Sequence, residues 1–361
     1  MIKIENLKEV KRIKKPKYYS SIILLMSNDD KNVVISDSNG IIHIYESKNN
    51  FDEKLKIIFT KENLNGKNNT INFISLINNN DILITFSECI KYISLYKEEE
   101  NNSIIYKYKE ITSLSLNLKD FYFYQCISLK SFDDKQLVSS CMKEIIHSWI
   151  VSGNNNDNNQ ISYRVKKVIS VCKKDTSSYL LEIPELKLLT TCSFKDCVLK
   201  FFDLQNNFKL VATINKIGHG YYEGCISLIN SHMFIVSSEG IDGMYLIDAQ
   251  NKEIIQQIQI NGYKGWINYI FADLNYNALN PNEMVFYVAG EYEDNKKNFS
   301  CDFQKYGIIN REIKLLNSKS NVHDEKISCF IFYPSLSSDE IGNKKNIFWS
   351  SSKTDIKIWS I

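Results

Sequence analysis

Apolar positions in this chain come in runs of about four to six residues, and stretches rich in Asn, Asp and Lys separate them. Three of the runs align directly: Ile74-Ser75-Leu76, Ile127-Ser128-Leu129 and Ile226-Ser227-Leu228. Ser178-Tyr179-Leu180 and Ile327-Ser328-Cys329 take the same place, so serines fall at 75, 128, 178, 227 and 328, a step near fifty with one member skipped. Trp266-Ile267-Asn268 fills the gap, and Ser21-Ile22-Ile23 extends the series backwards, giving seven units. A fixed period of this size marks a repeat architecture, in which each unit buries its apolar face against the next.

Each unit follows the same order of elements. After the first run comes a polar turn such as Asp29-Asp30, Asp133-Asp134 or Asn230-Ser231. Asn and Asp suit such turns because their side chains bond the local backbone and tolerate left-handed conformations. A second run ends in hydroxyls: Val33-Val34-Ile35-Ser36, Ile82-Leu83-Ile84-Thr85, Leu137-Val138-Ser139-Ser140, Leu188-Leu189-Thr190-Thr191, Phe234-Ile235-Val236-Ser237 and Ile347-Phe348-Trp349-Ser350. Asn39-Gly40 and Asp242-Gly243 supply hairpin signals after it. The third run alternates and closes on a large residue: Ile42-His43-Ile44-Tyr45, Ile93-Ser94-Leu95-Tyr96, Ile146-His147-Ser148-Trp149, Leu199-Lys200-Phe201-Phe202 and Ile356-Lys357-Ile358-Trp359. A fourth, amphipathic run follows, as at 55–60, 104–111, 161–169 and 254–260. Four short strands per unit and no helical period predict an all-β chain of about twenty-eight strands, too many for a sandwich. A single seven-bladed β-propeller over 1–361 fits, with four antiparallel strands per blade and blades near 18–60, 70–111, 122–169, 177–214, 221–260, 264–316 and 323–361. The last unit holds three strands before Ile361, so residues 2–14 are expected to supply its outer strand and close the ring.

The units resemble those of WD40-repeat proteins. The seventh carries the likeness best, with His323, then Ile327-Ser328-Cys329-Phe330, Ser350-Ser351-Ser352 and Asp355-Ile356-Lys357-Ile358-Trp359. The fifth has Gly218-His219 ahead of its first strand and Ile247-Asp248 at the Trp-Asp position; the fourth has Phe202-Asp203, with Asp196 six residues before Phe202. The resemblance implies an Asp that links a His, a Ser or Thr and the Trp inside a blade. Counting six residues back from the Trp puts Lys353 and Lys143 at the Asp position in the seventh and third units, so no unit is expected to hold all four partners. The resemblance also implies a protein-interaction platform, not an enzyme.

Composition narrows the function classes. A net charge of +2, with arginine only at Arg12, Arg164 and Arg311, gives no field for nucleic acid and few forks for phosphate. The apolar stretch 22–26 is far short of the ~20 residues of a membrane span, and the N-terminus has no apolar segment of a secretory signal. Nine cysteines without a CxxC pair read as reduced thiols, and an intracellular protein, cytoplasmic or nuclear, is expected. Cys192 and Cys197 read as packed thiols, and His219 and His323 as hydrogen-bonding groups within a blade, with no metal and no cofactor. Glu291, Glu293 and Asp294 read as a solvated acidic loop. No nucleophile elbow, phosphate loop or zinc-protease motif occurs, so no catalytic residue is assigned.

Aromatic residues gather just ahead of first strands, at Tyr19, Tyr124, Tyr221, Tyr222, Tyr263 and Trp266. In a propeller these positions surround the channel mouth, and aromatics with a polar tip favour interface hot spots. Lys143, Lys195 and Lys353 fall in corresponding loops and could form a basic rim on the same face. The expected function is a non-catalytic scaffold, monomeric as a propeller within a larger assembly, that binds a peptide or protein domain on the channel-mouth face. The alternatives are a ubiquitin-ligase substrate receptor and a propeller hydrolase. A phosphoinositide-binding propeller is set aside because no Phe-Arg-Arg-Gly string is present.

Overall fold

Alternating apolar runs separated by Asn- and Asp-rich turns fold as hairpins that repeat along the chain. The computed structural model describes residues 4–14, 19–26, 31–37, 39–46, 53–60, 64, 69–78, 80–100, 103–115, 123–133, 135–141, 145–155, 160–170, 178–193, 198–215, 217, 225–237, 243–258, 264–293, 299–324, 327–333, 347–352 and 355–360. Strand β1 (Lys8–Lys14) opens the chain after a single 3-10 turn at Ile4–Asn6. The first blade is β2 (Tyr19–Met26), β3 (Lys31–Asp37), β4 (Ile41–Glu46) and β5 (Glu53–Ile58). The second is β6 (Ile71–Leu76), β7 (Asp81–Phe86), β8 (Cys89–Glu100) and β9 (Ser103–Ser115). The third is β10 (Phe123–Ser128), β11 (Gln136–Cys141), β12 (Ile145–Asn155) and β13 (Gln160–Ser170). The fourth is β14 (Ser178–Ile183), β15 (Leu188–Ser193), β16 (Val198–Asp203) and β17 (Lys209–Asn215). The fifth is β18 (Cys225–Leu228), β19 (Met233–Ser237), β20 (Met244–Asp248) and β21 (Glu253–Ile258). The sixth is β22 (Lys264–Ala272), β23 (Met284–Glu293), β24 (Phe299–Ile309) and β25 (Glu312–His323). The seventh pairs β26 (Ile327–Tyr333), β27 (Ile347–Ser352) and β28 (Asp355–Ser360) with β1, in the order β1-β28-β27-β26.

The chain is therefore a seven-bladed β-propeller by strand count and pairing, with its N-terminal strand completing the last blade. The 2–14 expectation narrows to Lys8–Lys14, which runs antiparallel to β28 from Lys8↔Ser360 to Lys14↔Asp355. Two compact units share the chain, residues 19–180 and residues 1–18 with 181–361, and the division falls inside β14. Each unit packs its blades face to face. In the first, Val34, Ile42, Ile44 and Ile57 of blade one meet Ile74, Ile82 and Ile84 of blade two. In the second, Leu7 joins Phe303, Phe330, Phe348 and Trp359 around the sixth and seventh blades.

Two register irregularities recur that the sequence did not announce. In all seven blades the outer strand carries one extra residue opposite the third strand: Lys54, Ile111, Lys166, Val211, Ile255, Leu316 and Val10. Each bulge bends an exposed edge away from flat pairing. First strands bulge too, at Ser20, Asn72, Tyr124, Asn268 and Ser328.

Three expectations need correction. The third strand of blade two is Cys89–Glu100, so it starts before and runs on past the Ile93-Ser94-Leu95-Tyr96 run read as its extent. The hairpin turns on Ser87-Glu88, which lacks the Asn-Gly or Asp-Gly signal used elsewhere. Glu291 and Glu293 belong to β23, which runs on through Glu293, so they are strand residues and not a loop. A short helix, α1 (Leu274–Leu279), occupies the first turn of blade six, capped by Asp273 accepting from Tyr276 N. Gly40, at φ +80°, serves the predicted Asn39-Gly40 turn; a Cβ there would lie 2.7 Å from both Asn69 O and Phe59 O.

Candidate interaction surface

A continuous polar chain links His323, the last residue of β25 in the sixth blade, to β27 and β28 of the seventh. Trp359 Nε1 donates to Ser350 Oγ at 2.8 Å, and Ser350 Oγ lies 2.7 Å from His323 Nε2. His323 Nδ1 lies 2.8 Å from Asp355 Oδ1, which also accepts from Ser352 Oγ at 2.6 Å. The indole can only donate, so the serine hydroxyl points its own proton at His323 Nε2, and the neutral imidazole donates from Nδ1 to the carboxylate. Burial lowers the His323 pKa against the opposing pull of Asp355, which favours that neutral form. Burial alone would raise the Asp355 carboxyl, but hydrogen bonds from His323 and Ser352 hold it at about 2. All four partners are thus present in the seventh unit of the sequence, 323–361, contrary to the expectation that Lys353 had displaced the Asp. The residue in use is Asp355, four positions before Trp359; a count of six back from the Trp missed it.

The N-terminal strand adds charge to this chain. Arg12 forks onto Glu9 at 2.9 and 3.0 Å and stands 3.8 Å from Asp355 Oδ2. Lys357 donates to Val322 O at 2.8 Å and lies 3.7 Å from Glu9. The third blade keeps part of the same arrangement: Trp149 Nε1 donates to Ser139 Oγ at 2.9 Å, and His147 faces Cys141 Sγ at 3.8 Å. Burial depresses the His147 pKa to about 4. Asp203 and Asp248, at the Trp-Asp positions of blades four and five, close the turns that follow them. Asp203 accepts from Gln205 N and Asn206 N, and Asp248 from Gln250 N and Asn251 N.

First strands are tied to their neighbours by side chains that satisfy edge backbone groups. Asn72 Nδ2 donates to Phe123 O at 2.6 Å, and Ser75 Oγ donates to Cys126 O at 2.6 Å. Gln125 mimics a strand, donating to Leu180 O at 3.2 Å and accepting from Leu180 N at 2.8 Å. In the other unit, Asn277 of α1 is buried and donates to Ile229 O and Val285 O while accepting from Val285 N. Sequence reading passed over Asn72, Gln125 and Asn277, because an Asn or Gln beside a turn carries no local mark of such a role.

The proposed interface residues fall unevenly. Tyr19 is the first residue of β2, opposite Asp37; Trp266 lies within β22, opposite Glu291. Tyr124 is the bulged residue of β10, half-buried, and its burial raises the phenol pKa. These three belong to strands and not to the loops ahead of them, because the first strands begin earlier than the apolar runs indicate. Tyr221, Tyr222, Tyr263, Lys143, Lys195 and Lys353 lie outside the described residues, as do His219, Asp196 and Cys197. Cys192 is a buried strand residue. Among the described residues no group of His, Cys, Asp and Glu could hold a metal ion, and no helix is long and apolar enough to cross a membrane.

No protein-family profile matches the chain, and no curated protein matches it in sequence. Solved structures do. The WD40 domain of Toxoplasma gondii coronin superposes with a TM-score of 0.61 at 14% identity, covering 99% of this chain and 86% of that one. The β-propeller domain of Myceliophteria thermophila Cps50 (Swd1) gives 0.64 at 11% identity, covering 98% and 99%. Chaetomium thermophilum Sqt1, solved bound to the N-terminus of the ribosomal protein L10, gives 0.60 at 9% identity, covering 96% and 89%. Strand order and the blade-seven network thus define a WD40-type β-propeller fold, and these likenesses, spanning nearly the whole chain, show the same fold.

Proposed function

We propose that this protein is a non-catalytic scaffold, one subunit of a multiprotein complex, that binds a peptide or protein domain on the channel-mouth face. The observation that carries the reading is the fold shared with WD40 propellers solved with protein partners. Sqt1 is bound to a ribosomal-protein N-terminus, and a BBS1 fragment at TM-score 0.60 and 11% identity is in complex with ARL6. The use of polar groups around His323 supports it: both of its ring nitrogens are engaged by side chains of the seventh blade, and the Asp355 carboxylate is held by His323 and Ser352. Tyr19, Tyr124, Tyr221, Tyr222, Tyr263 and Trp266 would supply aromatic anchors, and Lys143, Lys195 and Lys353 a basic rim. Aromatic anchors carry a disproportionate share of interface energy, on the order of 2 kcal/mol or more each.

The test is affinity purification of the intact chain with quantitative mass spectrometry, run beside two variants. One combines Tyr221→Ala with Tyr222→Ala; the other combines Lys143→Glu, Lys195→Glu and Lys353→Glu. The expected result is a stoichiometric protein partner that both variants lose at unchanged melting temperature. Purification of the chain alone, or equal recovery of the partner with every variant, would overturn the proposal.

A further inference from the structure

The chain has three arginines, and two are committed to its own architecture. Arg12 is held by Glu9 and Asp355. Arg311 meets Asp248 at 3.2 Å and Glu253 at 3.8 Å. Arg164, in β13, is exposed, and among the described residues its guanidinium has neither an ion-pair nor a hydrogen-bond partner. Its strand is the outer edge of the third blade, in the order β10-β11-β12-β13.

Burial alternates along this strand. Tyr163 and Val165 turn inward against the second blade with Ile111, while Ser162, Arg164, Lys166 and Val168 are exposed, Val168 at 56%. Neither β12 nor β13 contains an Asp or Glu, while β13 contributes Arg164, Lys166 and Lys167. The outer strands of the other blades differ. Glu9, Glu53, Glu110, Glu253 and Glu312 put an acid on β1, β5, β9, β21 and β25, and β17 has a single cation, Lys209, at its start. The β13 edge is thus the one outer strand with several cations and no internal counter-charge.

Lysine and arginine on an edge repel another cationic edge and so prevent self-association. The same charges select an edge of opposite sign. We propose that β13 is a docking edge for an extended acidic segment of a partner protein, added as a further strand of the third blade. The partner's backbone would pair with β13 between Gln160 and the bulge at Lys166. Carboxylates at alternate positions would meet Arg164 and Lys166. Backbone pairing supplies most of the affinity in such additions, and side chains on alternate positions supply the choice of partner. The guanidinium suits this task because its planar fork receives a carboxylate through two hydrogen bonds. β13 contains none of the residues assigned above to the channel-mouth face.

The test uses the intact chain and fluorescein-labelled heptapeptides in anisotropy titrations. The probe alternates valine and glutamate. A second peptide replaces glutamate with lysine, and a third keeps the glutamates but carries N-methyl groups on its backbone. The glutamate peptide is expected to bind at least tenfold tighter than the other two. Arg164→Glu with Lys166→Glu should weaken it at least tenfold with the melting temperature unchanged, and hydrogen exchange should slow in β13 of the wild-type chain on binding. Equal binding by the charge-reversed variant, or by the N-methylated peptide, would overturn the proposal. So would a single-stranded DNA oligomer binding through Arg164 more tightly than the glutamate peptide, since that would make the edge a phosphate site.

Discussion

Ser350 and Ser351 are neighbours in β27, both fully buried, with opposite circumstances. Ser350 links Trp359 to His323, whereas the Ser351 hydroxyl has no partner among the described residues. Removing the first hydroxyl orphans two buried polar groups; removing the second relieves an unmet one. Ser350→Ala is therefore expected to cost about 2–3 kcal/mol, and Ser351→Ala to be neutral or slightly stabilising, by chemical denaturation of each variant. His147 gives a pH signature. Its folded pKa is depressed to about 4 from 6.5, so protons bind the unfolded chain first as pH falls. Its contribution is fully present above pH 6.5 and is lost progressively as pH drops toward 4. The melting temperature of wild type should fall more steeply across that window than that of His147→Gln, and parallel curves would remove His147 as the cause.

Among the elements, β1 is the one whose partner lies farthest away in sequence. It pairs with β28 across almost the entire chain, and Arg12 and Glu9 tie it to Asp355 and Lys357. Deleting residues 1–14 would free the β28 edge and strip these charges of their partners. The expected outcome is a melting temperature lower by on the order of 10 °C, with concentration-dependent association seen in sedimentation. A truncated chain that melts and sediments like the full one would show that β28 does not need its cover. The outer-strand bulges act on the same scale. Each adds one residue beside a large apolar or aromatic residue of the third strand, at Tyr45, Ile93, Trp149, Phe202, Ile247, Tyr306 and Trp359. The sequence showed most of these large residues but not the bulges, because an inserted residue in an amphipathic run leaves the apolar count unchanged.

At the scale of the molecule, the proposal that 1–361 is one domain makes a calorimetric prediction. A single cooperative unfolding transition is expected, with coincident melting by circular dichroism and tryptophan fluorescence. Two separable transitions, one for residues 19–180 and one for the remainder, would divide the chain into independently stable units.

The seven-unit count, the four-strand order within units and the N-terminal closing strand were all legible from apolar periodicity and turn residues, since these are local signals repeated many times. The Asn39-Gly40 hairpin and the Trp359, Ser350 and His323 positions were equally readable. Tertiary structure decided what depends on partners distant in sequence. It put Asp355 in the network in place of the Lys353 position, made Asn277 a staple between blades, gave Gln125 the role of a strand, and left Arg164 as the arginine with no counter-charge among the described residues. Hydrogen bonds and ion pairs at this range follow from which blade faces which, and a run of residues cannot encode that by itself.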